Sequence, residues 1–258
     1  MKNNRRVFKE LHQGESLLFL GNAWDTASAI ALEKAGFAAI GTTSYGISQS
    51  LGLQDGEQMD IHQLISIVQN MIKHVSIPVT VDMEAGYASN TEEIIDHVLR
   101  VAHLGVAGIN IEDSPKHQSQ LRSVSEQAAL LATLRTSLDT HGFADLFINA
   151  RTDTYLSHGI DDPLNETLIR AQAYSESGAN GIFVPGLSAK DEIIAVVSSC
   201  SLPLNLMSLP GLTSVSELEA LGVKRFSFGN ALSDSILAML QRSSEQLYRS
   251  RDTSFLYS

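Results

Sequence analysis

Short apolar runs alternate with longer amphipathic stretches along the whole chain. Eight runs have strand length, at 17–20, 38–41, 79–81, 108–111, 146–150, 181–184, 203–207 and 225–228. Between and after them, apolar residues recur at helical spacing over 26–35, 59–74, 92–104, 125–140, 162–177, 190–199, 215–221 and 231–248. Several of these helix patterns end at a glycine, as at Ala35-Gly36, Leu104-Gly105, Ser177-Gly178 and Leu221-Gly222. Glycine there accepts the left-handed conformation that closes a helix. Eight strand-helix units in sequence, with no compositional break, predict an α/β fold, a single closed (β/α)8 TIM barrel over residues 1–258. An open doubly wound sheet is the competing topology, but no G-x-G-x-x-G turn follows any run. Apolar residues in the helical tail 231–258, among them Tyr248, Phe255, Leu256 and Tyr257, suggest packing on a neighbouring subunit in a homo-oligomer, a dimer or a homotetramer, though docking on the chain's own barrel fits them equally.

Composition narrows the partners. A chain of 258 residues with 43% hydrophobic content can bury a large core. A net charge of -11 argues against nucleic acid or an anionic membrane surface, since phosphates demand clustered Lys and Arg. The one short basic cluster, Arg5 and Arg6 beside Lys2 and Lys9, reads as a solvated or frayed terminal helix. A single cysteine, Cys200, excludes an intrachain disulfide and a cysteine metal cage. With no signal-peptide core and no apolar run of roughly 18 residues, the expectation is a soluble cytoplasmic protein.

Candidate chemistry gathers at the carboxyl ends of the expected strands, which share one face of a parallel barrel. Thr43, Ser44 and Tyr45 follow the second strand, with Asp55 ten residues beyond Tyr45. Asp82 and Glu84 end the third, and the strand period of two places them on one face. The fourth ends in Asn110, Glu112 and Asp113, the fifth in Asn149, Arg151 and Asp153, and the seventh in Asn205 and Ser208. Asp113 and Asp153 read equally well as turn formers. Four carboxylates (Asp55, Asp82, Glu84, Glu112) around Arg151 call for a divalent cation, and an oxygen-only donor set suits Mg2+, with Mn2+ as the alternative.

The order of motifs, Gly41-Thr-Thr-Ser-Tyr-Gly46 with Leu51-Gly-Leu-Gln-Asp55, then Val81-Asp-Met-Glu-Ala-Gly-Tyr87, Ile111-Glu-Asp113 and Asn149-Ala-Arg-Thr-Asp153, resembles the isocitrate lyase and phosphoenolpyruvate mutase superfamily. The resemblance implies a metal-dependent enzyme that binds a small α-keto carboxylate and works through an enolate of pyruvate. It implies that Asp82 is the principal metal contact, that Asp55, Glu84 and Glu112 hold the metal or its waters, that Arg151 faces the substrate oxygens, and that the backbone around Thr43, Ser44 and Tyr45 receives the carboxylate. Asn205 completes the substrate-binding set.

Departures from the family pattern narrow the reaction. The lyase members' Lys-Lys-Cys-Gly-His loop is replaced here by Ser114-Pro-Lys-His-Gln-Ser-Gln120, and Cys200 falls at the wrong end of the barrel, so isocitrate or methylisocitrate cleavage is disfavoured. The segment Pro115-Lys116-His117-Gln118-Ser119 is similar to the gate of phosphonopyruvate-processing members. Lys116 is then placed to approach a leaving group and His117 to serve as acid or base, whereas an exposed, merely solvated loop is the bland alternative. The leading expectation is phosphonopyruvate mutase or hydrolase, or oxaloacetate decarboxylase, activity. A lyase acting on a substituted malate without a cysteine, and a non-catalytic keto-acid-binding barrel, are the alternatives.

Overall fold

The computed structural model describes residues 4–116 and 120–257. Each expected run is a strand: β1 (Leu18–Ala23), β2 (Ile40–Thr42), β3 (Val79–Asp82), β4 (Gly108–Glu112), β5 (Phe147–Arg151), β6 (Gly181–Phe183), β7 (Leu204–Met207) and β8 (Arg225–Ser227). Neighbours in sequence pair in parallel, and β8 pairs with β1, which closes the (β/α)8 barrel. The chain is a single barrel with its helices outside.

The expected helices form the outer ring: α2 (Thr26–Lys34), α4 (Ile61–His74), α5 (Thr91–His103), α6 (Val124–Thr140), α7 (Pro163–Glu176), α8 (Lys190–Ser199), α9 (Val215–Ala220) and α10 (Ala231–Ser250). Their starts follow from capping chemistry. Asn90 accepts from Glu93 N at 2.9 Å and Asp60 from His62 N at 2.7 Å, satisfying amides that the helix leaves without partners. Aliphatic side chains from the strands and from the inner faces of α4 to α9, such as Val81, Ile109, Leu134 and Val196, fuse into one core between sheet and helices.

Two further helices are α1 (Asn4–Gln13), at the terminus that reads as a solvated or frayed helix, and α3 (Ser44–Ser50), which lies outside the expected set. The basic terminus forms a helix solvated on one side only, with Arg6 largely exposed beside Glu10. Phe8 and His12 of α1 are buried against Phe147 of β5, with His12 stacked on that ring at 4.1 Å, so α1 closes the amino-terminal end of the barrel. Arg5 fixes the helix by donating to Val106 O and Ala102 O. Burial pushes the His12 imidazole down to about 3, which keeps it neutral beneath the barrel.

The register also shows which residues fill the bore. Asp82 pairs with Asn110, Asn110 with Asn149 and Asn149 with Gly181. Two residues on, Phe183 pairs with Asn205 and Asn205 with Arg225, so all these positions share one face of the sheet. Asn110 Oδ1 accepts from Asn149 Nδ2 and, across the bore, from Arg225 Nη2 on the opposite side of the barrel, so that face is the inner one. Branched aliphatics normally fill this space; here a polar layer does.

Candidate active site

Strand β3 stops at Asp82, and the next residues form a turn in which Glu84 has φ 45°, Gly86 φ 117° and Tyr87 φ 58°. The expectation that a continued strand carries Asp82 and Glu84 on one face is therefore corrected. The turn, not the pleat, brings the two acids together, with Glu84 N donating to Asp82 Oδ1 at 3.4 Å. Left-handed backbone at two non-glycine residues is strained, and here the surroundings hold it in place. Glu84 accepts from Tyr87 Oη at 2.7 Å and from Glu57 N at 3.0 Å, while Glu57 Oε1 accepts from Tyr87 N at 2.7 Å. Glu57, itself at φ 60°, was not singled out from sequence, because nothing about one acid in a polar loop marks it as a clasp.

Asp82 is buried and sits under the start of α3. Its amide donates to Thr42 Oγ1 at 2.8 Å, and its Oδ2 accepts from Ser44 Oγ at 3.2 Å. Thr43 caps α3 by accepting from Gly46 N at 3.3 Å, which presents Ser44 and Tyr45 to the barrel mouth. Asp82, Ser44, Tyr45, Asp55, Arg151 and Arg225 border a common cavity of about 140 Å3. Burial raises the Asp82 carboxyl above its ordinary range, while Arg151 opposes the rise.

Arg151 is locked rather than free. Nε and Nη2 reach the two carboxylate oxygens of Asp153 at 2.6 and 3.0 Å, and Nη1 lies 2.9 Å from Glu112 Oε2 in an ion pair not aligned as a hydrogen bond. The guanidinium carbon stands 5.6 Å from the Phe183 ring centre. Asp153 is therefore a clamp for Arg151 rather than a turn former, and its carboxyl is held below its usual range by Arg151 against the opposing effect of burial. Ser114 Oγ bridges Asp153 and Glu112. Asp113 turns away from the cavity, binding Arg170 Nη1 at 2.9 Å and Tyr174 Oη at 2.8 Å inside the wall.

The four acids expected around one cation divide into two pairs. Asp82 and Asp55 border the cavity. Glu84 is engaged by Tyr87 and the Glu57 amide, and Glu112 forms ion pairs with Lys116 and Arg151. No cluster of three or more His, Cys, Asp or Glu positioned to hold a metal occurs among the described residues. Lys116 lies against Glu112 at the mouth, whereas His117 falls outside the described residues. Asn205 is buried on the inner face of β7, and neither of its side-chain polar atoms has a hydrogen-bond partner among the described residues. Cys200 is half-buried past the end of α8, and burial pushes its thiol up.

Residues 8–248 match the family model described as phosphoenolpyruvate phosphomutase. An uncharacterized protein of Mycobacterium tuberculosis is 36% identical over 223 residues, covering 86% of this chain and 81% of its own. The 2,3-dimethylmalate lyase of Eubacterium barkeri is 28% identical over 196 residues, covering 74% and 66%. Other curated relatives are named phosphoenolpyruvate phosphomutase, 2-methylisocitrate lyase and oxaloacetate decarboxylase. Among solved structures, a phosphonomutase-like protein of Burkholderia cenocepacia J2315 superposes with a TM-score of 0.90 at 34% identity, over 95% of this chain and all of that one. A phosphonopyruvate hydrolase in complex with oxalate and Mg2+ superposes with a TM-score of 0.86 at 22% identity, over 97% and 88%, a likeness of fold.

Proposed function

Because this chain belongs to the phosphoenolpyruvate phosphomutase family, within the isocitrate lyase and phosphoenolpyruvate mutase superfamily of lyases and mutases, we propose that it is a Mg2+-dependent enzyme acting on a small α-keto carboxylate. It breaks or shifts the C-C or C-P bond beside the keto group through an enolate of the pyruvate type. The observation that carries this reading is the pairing of buried Asp82 with the immobilised guanidinium of Arg151 across one small cavity at the carboxyl ends of the strands.

Asp82 and Asp55 offer carboxylate oxygens alone, and the contacts to Asp82 from Ser44 and the Glu84 amide are long enough to yield. That donor set fits Mg2+, which keeps several waters and takes one or two carboxylates; Mn2+ is the alternative. When bound, the ion supplies Lewis acidity toward the substrate's keto and carboxylate oxygens. The chain's own residues do the rest. Ser44 and Tyr45 at the start of α3 receive the carboxylate, and Arg151, its orientation fixed by Asp153, stabilises negative charge growing on the keto oxygen. Lys116, tethered to Glu112, is the cation placed to meet the departing or migrating group.

The test is a Mg2+-supplemented turnover screen of oxaloacetate, phosphonopyruvate and substituted malates. It follows pyruvate release and, for phosphonopyruvate, phosphoenolpyruvate formation. Release of pyruvate from oxaloacetate or phosphonopyruvate is expected; cleavage of a substituted malate alone would instead favour the lyase reading, to which the similarity to 2,3-dimethylmalate lyase lends support. We propose also that a second copy of the chain covers α10. Ser233 is the one buried residue of that helix, while Leu232, Ile236, Leu237, Met239 and Leu240 stand exposed along it.

A further inference from the structure

Arg225 is only 2% exposed, yet it lies in the middle of the barrel. Its side chain crosses the bore from β8 and spends one N-H on Asn110 Oδ1 at 3.3 Å. The remaining donors on Nε and Nη1 have no hydrogen-bond partner among the described residues. Beneath it the Phe8 ring of α1 lies 5.8 Å from the guanidinium carbon and seals the base; above it is the cavity, whose border Arg225 shares with Asp82 and Arg151. Beside it in register is Asn205, 1% exposed, with neither the amide nitrogen nor the oxygen partnered among the described residues. Burial pushes the guanidinium down to about 9, and Asp82 is the one charge found to oppose that fall, so Arg225 stays charged at neutral pH.

A buried cation and a buried amide with unused hydrogen bonds are each costly in a protein core. Arg225 borders the cavity and Asn205 is its register partner on β7, so an anionic ligand held by Arg225 would lie beside the unpaired amide as well.

We propose that Arg225 and Asn205 form an anion subsite at the floor of the cavity, which takes one set of carboxylate or phosphonate oxygens of a dianionic ligand while its other end stays at the Asp82 and Arg151 rim. This rests on the keto-acid reading above and adds to it the side chains that engage the ligand's second anionic group. Arg225 is thereby a specificity-determining residue, with Asn205 helping to orient the bound oxygens.

The experiment is calorimetric titration of the full chain, in Mg2+, with oxalate and with oxamate, in which an amide replaces one carboxylate at nearly equal size. The parent is expected to prefer oxalate. Arg225→Met, close in volume and free of an unpaired charge, should weaken oxalate by about tenfold or more while oxamate changes by less than about threefold, the scale of a hydrogen-bonded charge contact. An unchanged oxalate-to-oxamate ratio, or equal losses of both ligands, would overturn the subsite while leaving the rim intact. Should Arg225→Met fail to fold, Arg225→Lys serves instead. Lysine keeps the charge but not the paired contact, so the ratio should fall by about threefold, and an unaltered ratio again overturns the assignment. A parent chain that binds neither ligand would refute the keto-acid reading itself and the floor subsite with it.

Discussion

Burial pushes the Glu84 carboxyl up to about 8, with repulsion from Asp82 adding to it, and pushes Glu112 up to about 7 although Arg151 pulls it back. The folded chain thus holds protons that the unfolded chain, titrating near 4.5, has released. The stability they represent is full below the unfolded value and is lost as pH rises through the folded values. Melting temperature in EDTA should therefore fall between about pH 5 and pH 8, with Mg2+ reducing the fall; a flat profile in EDTA would refute this. At Arg151, lysine retains charge but cannot fork onto Asp153 while reaching Glu112. Arg151→Lys should lower kcat by about a hundredfold with a small change in melting temperature, and unaltered kinetics would remove Arg151 from the chemistry. At this scale much of the rim was legible: Asp82, Ser44 and Arg151 follow strand ends and meet at one cavity. Arg225 was not, because a charged residue opening a short strand looks like a solvated edge until α1 is known to lie beneath it. The roles of Asp113 and Asp153 were undecided for a similar reason, since their partners Arg170 and Arg151 are assigned only by the fold.

The turn after β3 is the element on which the site depends. A Cβ on Gly86 would meet the Ile94 side chain at 2.7 Å, and the residue's φ of 117° already excludes ordinary side chains. Gly86→Ala should destabilise the fold by about 1–3 kcal/mol and lower activity further by moving Glu84 and Tyr87, read as a denaturation midpoint and a turnover rate. A variant with parental stability and rate would show the turn to be dispensable. Apolar periodicity located the eight strands and their following helices because nearly all bury an apolar face, α10 being the exception that carries the same periodicity with its apolar residues exposed. It missed α3, since Ser44–Ser50 offers a single branched apolar residue, Ile47, and its helix rests on the Thr43 cap. It also misplaced Glu84, because Val79 to Asp82 reads as a strand with no signal that the pleat ends there.

For the whole molecule, closure of the barrel was readable from the count and order of units, whereas what covers the helical tail was not, since a neighbouring subunit and the chain's own barrel fit the tail equally. Helix α10 leaves Met239 56% and Leu240 59% exposed, so the proposed second copy predicts a dimer or larger species by light scattering. Leu240→Asp should shift it toward the monomer, and a parent chain monomeric at high micromolar concentration would contradict the proposal. Closed at its amino-terminal end by α1 and open at the Asp82 rim, the barrel suits the proposed reaction, whose enolate must be kept from water. The most direct test is calorimetric titration of oxalate into the parent chain and into Asp82→Ala, each with Mg2+ and with EDTA. Binding should require both Mg2+ and Asp82; equal binding in EDTA, or by the Asp82→Ala chain, would contradict a metal-dependent keto-acid site.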